Sequence, residues 1–595
     1  LPERETDMAS LSVTTPHQEF QPFIKAEVFT ATEVHAAQRI TNAVFSTTST
    51  ANAAFIDYLS VAVAVWAPVN GHVCIDLENV RQQVRDELGS AREEFDQKSH
   101  DALDWPSLDE WHQHLANNPL VFIPEPNNID HVDHTKPLVL FGNMLYLTRQ
   151  WADEGTVASA LRTRFTADAT PLPAQATTWV EAVFGKGSVD YKAQAEEEDS
   201  VDYQAQAVMK ALTHNTTVLL GGPGTGKTYT IAGMLHAFYS EHAANSTGNT
   251  NPLRVAIAAP TAKAARQVTT SVGLSLALQH FPQTHADLIS SVTKTSSTIH
   301  RLLGWSPGNR GRLAHHAQNF LPYDIVIIDE VSMVSLPLMA RLLEALAPAT
   351  KLVLVGDPQQ LKSVEAGAVL PDIASLHGGD TYPITKLLIN RRQADEKDPN
   401  KVNDIGQLAT MISKADLSQD DADKVLEFIK GPTNEITFIA LPDASADPSK
   451  SSQVLAQLDT HLQGYRDALK NAKLGNAPGA LDALASVRVL CGHREGPYGV
   501  STWNKLISDT LDIPTTRGAI GQPLLNTRND LRTGLVNGDT GIVIKTSNKA
   551  STINKLATVS ARTFSMEEVN RFAGGRSDVA RLVANFAGVS APDDS

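Results

Sequence analysis

Cysteine is nearly absent: Cys74 and Cys491 are the only two in 595 residues. That excludes a disulfide framework and a cysteine-rich metal centre, and it suits a reducing cytoplasm. Long apolar runs are missing as well. The longest near the start, Tyr58 to Val69, is too short to cross a bilayer, so no membrane partner is expected. The opening Leu1-Pro-Glu-Arg-Glu5 carries mixed charge without an apolar stretch, which argues against a secretory leader. Positive charge is in deficit, with 50 Lys and Arg against 66 Asp and Glu and a net charge of −16. A protein that coats nucleic acid with its whole surface would be basic. A narrow internal channel, or a subunit whose basic partners hold the duplex, remains compatible. The 19 histidines form no H-E-x-x-H cluster, and His315-His316 reads as an exposed helical pair rather than a metal site.

What is present centres on Gly221, Gly222, Pro223, Gly224, Thr225, Gly226, Lys227 and Thr228. The apolar run Val218-Leu-Leu220 precedes this stretch and a helical pattern, Ile231 to Phe238, follows it. A glycine-rich turn between strand and helix lets backbone N–H groups converge on phosphate oxygens at the positive end of the helix. Lys227 is placed for the β- and γ-phosphates, and the Thr228 hydroxyl for Mg²⁺. The chain length predicts two to four domains.

Residues 1–165 read as a mostly helical domain suited to packing or partner contact. Phe23–Arg39, Leu77–Phe95 and Asp101–Phe122 are its helical stretches, Gly71–Asp76 is a strand, and Pro137–Leu140 with Met144–Leu147 forms a hairpin around Gly142-Asn143. The segment Ser188–Ala195 is nearly repeated as Ser200–Ala207. This is a local duplication in a linker or helix start; the second copy lies just upstream of the nucleotide loop, so Gln204 is a candidate for the adenine edge, with local helix packing as the alternative. Residues 166–385 alternate strand and helix, which predicts a parallel sheet covered by helices, with ligands at the carboxyl ends of the strands. The strand ends carry Pro260-Thr261, Asp329-Glu330 and Asp357 to Gln360. Residues 386–520 read as a second α/β region, with helices over Lys401–Ile412 and Gln453–Ala468 and strands at Phe438–Leu441 and Val487–Cys491. The stretches Pro442–Pro448 and Asn471–Gly479 read as loose. From 521 to 595 the texture is that of a small barrel, at Pro523–Leu525, Gly534–Val536, Asn537–Thr540 and Gly541–Ile544, followed by a frayed tail.

Asp329 follows four apolar residues, as a Mg²⁺-holding carboxylate does, and Glu330 can orient and deprotonate the attacking water. Two adjacent carboxylates at a buried strand end repel unless a cation lies between them. Gln360 can bond the γ-phosphate or the lytic water. Asp357 reads as structural. Arg391-Arg392 could lean one guanidinium onto the γ-phosphate, or be a solvated pair in a loop. Pro260, Thr261, Lys263, Thr298, His300 and Arg301 suit a phosphodiester or a stacked base.

Together, Gly221–Thr228, Ala259-Pro-Thr261, Thr298–Gly304, Ile328-Asp-Glu330 and Gly356–Leu361 resemble successive superfamily 1 helicase motifs. Arg488–Val500 and Asn529-Asp530 with Gly534–Ile542 narrow the resemblance to the RecD family, the alpha subunit of exonuclease V (RecBCD). Gly71–Cys74 and Leu145–Trp151 also fit it. The resemblance implies a P-loop NTPase with two RecA-like lobes (386–520 being an incomplete second lobe) and a small SH3-like β insertion from 521. It implies ATP and Mg²⁺ as cofactors and 5′-to-3′ translocation on single-stranded DNA. It also implies work within a trimer that unwinds duplex ends for recombinational repair, with beta and gamma subunits as partners and residues 1–165 facing the gamma subunit. Gln204 matches the adenine-side glutamine, and Arg392 the motif IV arginine. Ala262 and Lys362 stand where the family more often has glycine and proline. H-K-S-Q-G-like and Y-T-A-x-T-R-A-like segments do not occur between Gly541 and Ser595. Three readings therefore stay open: a translocating subunit, a structural subunit or fragment that binds ATP yet hydrolyses poorly, and a stand-alone RecD-like helicase.

Overall fold

The computed structural model describes residues 18–565 apart from 48–52, 91–99, 126–130, 187–201, 247–250, 279, 306–312, 361–362, 364, 377–381, 389–402, 415–418, 434, 440–455, 457–458, 460, 493, 495, 515–517, 528–534, 536, 546–551 and 556–562. Arg391-Arg392, the first copy of the duplicated segment, Pro442–Pro448, Asn529-Asp530, Gly534, Val536 and the tail fall outside the described residues. The chain divides into two units, one of residues 1–260 with 275–389, the other of 261–274 with 390–595.

The first unit begins with α1 (Gln21–Lys25), α2 (Ala31–Thr47) and α3 (Phe55–Val69). The helical stretch expected over Phe23–Arg39 is thus broken, at a turn where Glu27 takes φ 58°. Strand β1 (Cys74–Asp76), α4 (Val80–Ser90), α5 (Leu108–Leu115), β2 (Val121-Phe122), β3 (Leu138–Phe141) and β4 (Met144–Leu147) follow. The expected β3–β4 hairpin forms, and β1 and β2 extend it into a four-stranded sheet, β1-β4-β3-β2. Ser107 caps α5 through a reciprocal bond set with Glu110, which starts that helix later than Asp101. Trp66, Trp111, Phe20 and Phe29 are fully buried in this core.

Helix α6 (Thr148–Phe165) continues from β4, and its Val157, Leu161 and Phe165 pack into the core of a different sheet. That sheet has six parallel strands: β5 (Thr216–Gly221), β6 (Val255–Ala259), β7 (Ser297-Thr298), β8 (Ile325–Ile328), β9 (Lys351–Gly356) and β10 (Ile384–Leu387), in the order β10-β5-β9-β8-β6-β7. Its central strands read as continuous apolar runs because helices cover both faces. The connections include α7 (Ala176–Phe184), α8 (Tyr203–Thr213), α9 (Lys227–Asn245), α10 (Ala262–Leu276), α11 (Ala286–Lys294), α12 (Ile299–Leu302), α13 (Leu336–Glu344) and α14 (Val369–Ser375). This is the doubly covered parallel sheet of a P-loop NTPase, as expected. His315-His316 is not helical. It lies in a tight turn closed by a His316–Asn319 bridge, where the imidazole and carbonyl bonds of His315 and His316 replace a helix.

The second unit holds Thr261 and residues 262–274 of α10 with α15 (Asp404–Lys414), α16 (Gln419–Lys430), α17 (Gln463–Leu474), α18 (Ala477–Ala485) and α19 (Val500–Thr510). An antiparallel sheet completes it: β11 (Pro523–Leu525), β12 (Thr540–Ile544), β13 (Thr552–Lys555) and β14 (Thr563–Ser565). The described residues form no strand at Phe438-Ile439 or at Val487–Cys491. Each is an apolar run too short to distinguish strand from loop by pattern, and Leu490 is 92% exposed, so no partner face buries it. Asn471–Gly479, expected loose, is a tight helix–helix joint. Gly475 takes φ 74° after α17, and Asn476 accepts the Gly479 N–H at the start of α18. Ala472, Leu481 and Leu484 then pack with Ile542 and Ile544 of β12.

Candidate active site

The candidate site lies along the carboxyl ends of β5, β9 and β8, the rim where such sheets bind ligands. Strand β5 is buried throughout and delivers the chain to the glycine loop. A Cβ at Gly221 would come within 2.6 Å of Thr225 Oγ1, and Gly226 takes φ 89° immediately before α9. Both positions therefore require glycine. The Thr225 hydroxyl donates to the Gly222 carbonyl at 3.0 Å, and the Thr230 hydroxyl to the Gly226 carbonyl at 3.1 Å, so the loop is braced from inside. Lys227 Nζ donates to the Gly221 and Gly222 carbonyls at 2.7 and 3.0 Å. Its ammonium thus lies inside the loop. Thr228 is the second residue of α9.

Gln204 is buried at the start of α8, whose first N–H groups are capped by Asp202. Its Nε2 donates to the Gly226 carbonyl at 3.2 Å, and its Oε1 is buried without a partner. The amide therefore grips the loop with one end and keeps an acceptor in reserve.

Asp329 directly follows β8, and its N–H bonds the Ala258 carbonyl of β6 at 2.9 Å. Burial pushes its carboxyl up to about 6; the neighbouring Glu330 adds to that rise, and the Lys227 charge opposes it. Glu330 takes φ 54°, a left-handed conformation that costs a non-glycine residue about 1 kcal/mol. Glu330 Oε2 is buried without a hydrogen-bond partner. An acid held above its usual range beside an orphaned carboxylate oxygen fits a divalent cation, which would be held by Asp329 with Thr228. A divalent cation there would offset the two adjacent negative charges.

Between β5 and β8 runs β9, closed by Gly356. A Cβ there would meet Leu370 at 2.6 Å and the Val331 and Ser332 amides at 3.2 and 3.3 Å. Glycine lets the turn after β8 fold against this strand end. The sequence pattern did not single out that role, although a glycine ending a buried strand before a carboxylate was the available signal. Asp357 is structural, as expected: its Oδ1 accepts the Gln359 N–H at 3.0 Å. Gln360 is half-buried in the same turn, its N–H on the Asp357 carbonyl at 3.2 Å. Arg392 lies outside the described residues.

Of the residues expected to meet nucleic acid, Thr298 sits beside Ala259 across the β6–β7 pairing, so Pro260 follows next to it. Thr298 Oγ1 accepts the Arg301 N–H at 3.2 Å and caps α12, while His300 is exposed. In the second unit Thr261 Oγ1 accepts the Ala264 N–H at 3.1 Å, and Lys263 is exposed. Both hydroxyls keep their own proton free to donate.

Residues 25–146 match the family described as RecBCD enzyme subunit RecD, N-terminal domain, and residues 204–366 match the AAA domain family. The chain is 36% identical over 529 residues to the RecBCD enzyme subunit RecD of Mycolicibacterium smegmatis, spanning 88% of this chain and 80% of the relative. It is 35% identical to the subunit of the same name from Mycobacterium tuberculosis, over 88% of this chain and 78% of that protein. It is also 29% identical to the ATP-dependent RecD2 DNA helicase of Deinococcus radiodurans, over 69% of this chain and 46% of that protein. With its nucleotide loop, paired carboxylates and amino-terminal sheet all in place, the chain belongs to the RecD family of helicase subunits.

Proposed function

We propose that the chain is an ATP-driven 5′-to-3′ translocase on single-stranded DNA, acting as the alpha subunit of a RecBCD-type complex that opens duplex ends for recombinational repair. One observation carries this reading: a glycine loop, Lys227, Asp329 and Glu330 share one rim of the sheet, with an unsatisfied Glu330 oxygen next in sequence to the buried Asp329. On this reading the Gly221–Thr228 amides hold the ATP phosphates, and Thr228 with Asp329 holds Mg²⁺. Glu330 takes a proton from the attacking water, Gln360 reads the γ-phosphate, and Arg392 leans onto the same charge. The reserved Oε1 of Gln204 accepts from the adenine amino group. Pro260, Thr261, Lys263, Thr298 and His300 grip the strand. Beta and gamma subunits are the chain's partners, residues 1–165 serve contact with the gamma subunit, and 166–385 form the first motor lobe. Residues 386–520 form the second lobe, and 521–595 a small SH3-like insertion and tail. The two free cysteines, Cys74 and Cys491, suit a cytoplasmic setting.

A second reading is a structural subunit that binds ATP without acting as a motor. The absence of strands among the described residues between β10 and β11 favours it. Steady-state ATP hydrolysis with and without single-stranded DNA, beside a Lys227→Ala control, separates the two. DNA-stimulated turnover abolished in the control supports the motor. Nucleotide binding without stimulated turnover overturns it in favour of the structural subunit.

A further inference from the structure

The turn that carries Glu330 and the turn that carries Gln360 are joined downstream by a contact that no motif announces. After Glu330 the chain makes a single tight turn, Met333 N–H to the Glu330 carbonyl at 3.1 Å and Val334 N–H to the Val331 carbonyl at 3.0 Å. It then reaches Ser335 at the start of α13. Ser335 has the extended backbone of a capping serine (φ −74°, ψ 158°), yet its side chain makes no cap bond. A serine there ordinarily accepts an N–H of its own helix. Instead its hydroxyl donates to Glu365 Oε2 at 2.7 Å.

Glu365 lies five residues beyond Gln360, as Ser335 lies five beyond Glu330. The backbone reinforces the pairing. Leu336 N–H donates to the Gly367 carbonyl at 3.0 Å, and Ser335 bridges Ala368. The Ser363 hydroxyl donates to the Glu365 carbonyl at 2.7 Å, which fixes the carboxylate's own loop. Gly367 takes φ 86°, and a Cβ there would lie 2.6 Å from Leu336 Cβ. The approach is thus as close as backbone allows.

We propose that Ser335 and Glu365 form a positioning latch, which sets the γ-phosphate-reading turn after β9 against the turn that carries the catalytic carboxylate after β8. The proposal deepens the ATPase reading and rests on it. Neither latch residue is a phosphate or metal ligand. Their effect is on the distance between Glu330 and Gln360, and therefore on how the site distinguishes a nucleotide with a γ-phosphate from one without. A hydroxyl bonded to a carboxylate is a charge-assisted contact, and its partial exposure limits its weight.

The test is equilibrium binding of Mg²⁺ with ADP and with the imido analogue of ATP, measured by fluorescence titration on the full chain. Ser335→Ala and Glu365→Ala, singly and together, are compared with wild type, and thermal unfolding is followed in parallel. The latch predicts unchanged ADP affinity and a roughly fivefold loss of affinity for the analogue in each single variant, the weight of one hydrogen bond. The double variant should lose no more than either single one, because the two residues act as a unit. Glu365→Gln, which keeps an acceptor oxygen, should recover part of the loss. An unchanged preference, additive losses, or equal weakening of both nucleotides with a lowered Tm would overturn the latch. Each of those results leaves the ATPase reading standing. A wild-type chain that binds neither nucleotide would overturn the ATPase reading itself, and the latch with it.

Discussion

Asp329 shows how one buried residue sets the electrical problem of the site. Its carboxyl is held at about 6 because burial removes water and Glu330 supplies a second negative charge, with Lys227 only partly offsetting them. The folded-state value stands above the unfolded one, so the folded protein binds the extra proton. The associated stability is present below the unfolded value near 4 and is lost as pH rises through 6. Asp329→Asn should therefore raise the stability of the metal-free protein at pH 7.5 by about 2–3 kcal/mol, read as a higher urea midpoint. That gain should shrink to nothing near pH 3.5. The same substitution should abolish Mg²⁺-dependent nucleotide binding. A gain equal at both pH values would show that charge burial is not its source.

At the scale of elements, helix α9 is set between the nucleotide loop and a cluster of rings. His236 on it is buried, with Phe281 and His285 ring centroids at 6.2 and 5.9 Å, and its Nδ1 has no hydrogen-bond partner. Burial, aided by the His285 charge and opposed by the imidazole's hydrogen bond to the Thr284 backbone, pushes it down to about 4. Here the sign reverses. The contribution is complete above the unfolded value near 6.5 and is lost as pH falls through 4. His236→Phe should flatten the fall in stability between pH 6.5 and 4, which for wild type amounts to up to about 3 kcal/mol from this group. Chemical denaturation at a series of pH values checks it, and an unaltered slope would sink the assignment.

The elements also separate what local pattern reveals from what it hides. Gly221–Thr228 and Asp329-Glu330 were legible because strand, turn and helix are neighbours in sequence, and the chemistry lies at the junction. Gln204 drew notice as a candidate for an adenine edge, whereas its hold on the Gly226 carbonyl needs a fold that brings together residues 22 apart. Ser335 and Glu365 are 30 apart and belong to no periodic pattern. Among the described residues, no strand forms at Phe438-Ile439 or at Val487–Cys491, for the opposite reason. Short apolar runs satisfy the local rule, but only a neighbouring strand makes them sheet.

At the scale of the molecule, the chain crosses between its two units at 260–261, 274–275 and 389–390. Within the second unit, Arg266 of α10 meets both carboxylate oxygens of Asp539 at 3.0 Å, across 273 residues of sequence. The Asp539 side chain is only 9% exposed. Arg266→Met should destabilise the second unit by about 1–3 kcal/mol, by taking from a buried carboxylate the guanidinium nitrogen that both its oxygens share. Asp539→Asn in the same background should recover part of the loss, measured by urea unfolding. Full additivity of the two would dismiss the pair as a contributor. In the first unit, Trp111→Ala empties a fully buried position and should cost about 3–5 kcal/mol, visible as a lowered Tm.

Helix α6 leaves the amino-terminal sheet at Leu147 and does not end in a tether. Arg164 near its end donates to the Ala347 and Thr350 carbonyls at 3.0 and 3.1 Å, and Asp153 receives Arg341 of α13 at 2.5 Å. Thr350 precedes β9, and α13 follows the turn of Glu330. The helix is therefore a stiff lever with one arm in each sheet. A displacement of the amino-terminal sheet is therefore expected to be felt at β9 and α13, the elements beside the nucleotide loop. Whatever binds that sheet would thereby bear on the strand and the turn that flank the candidate nucleotide site.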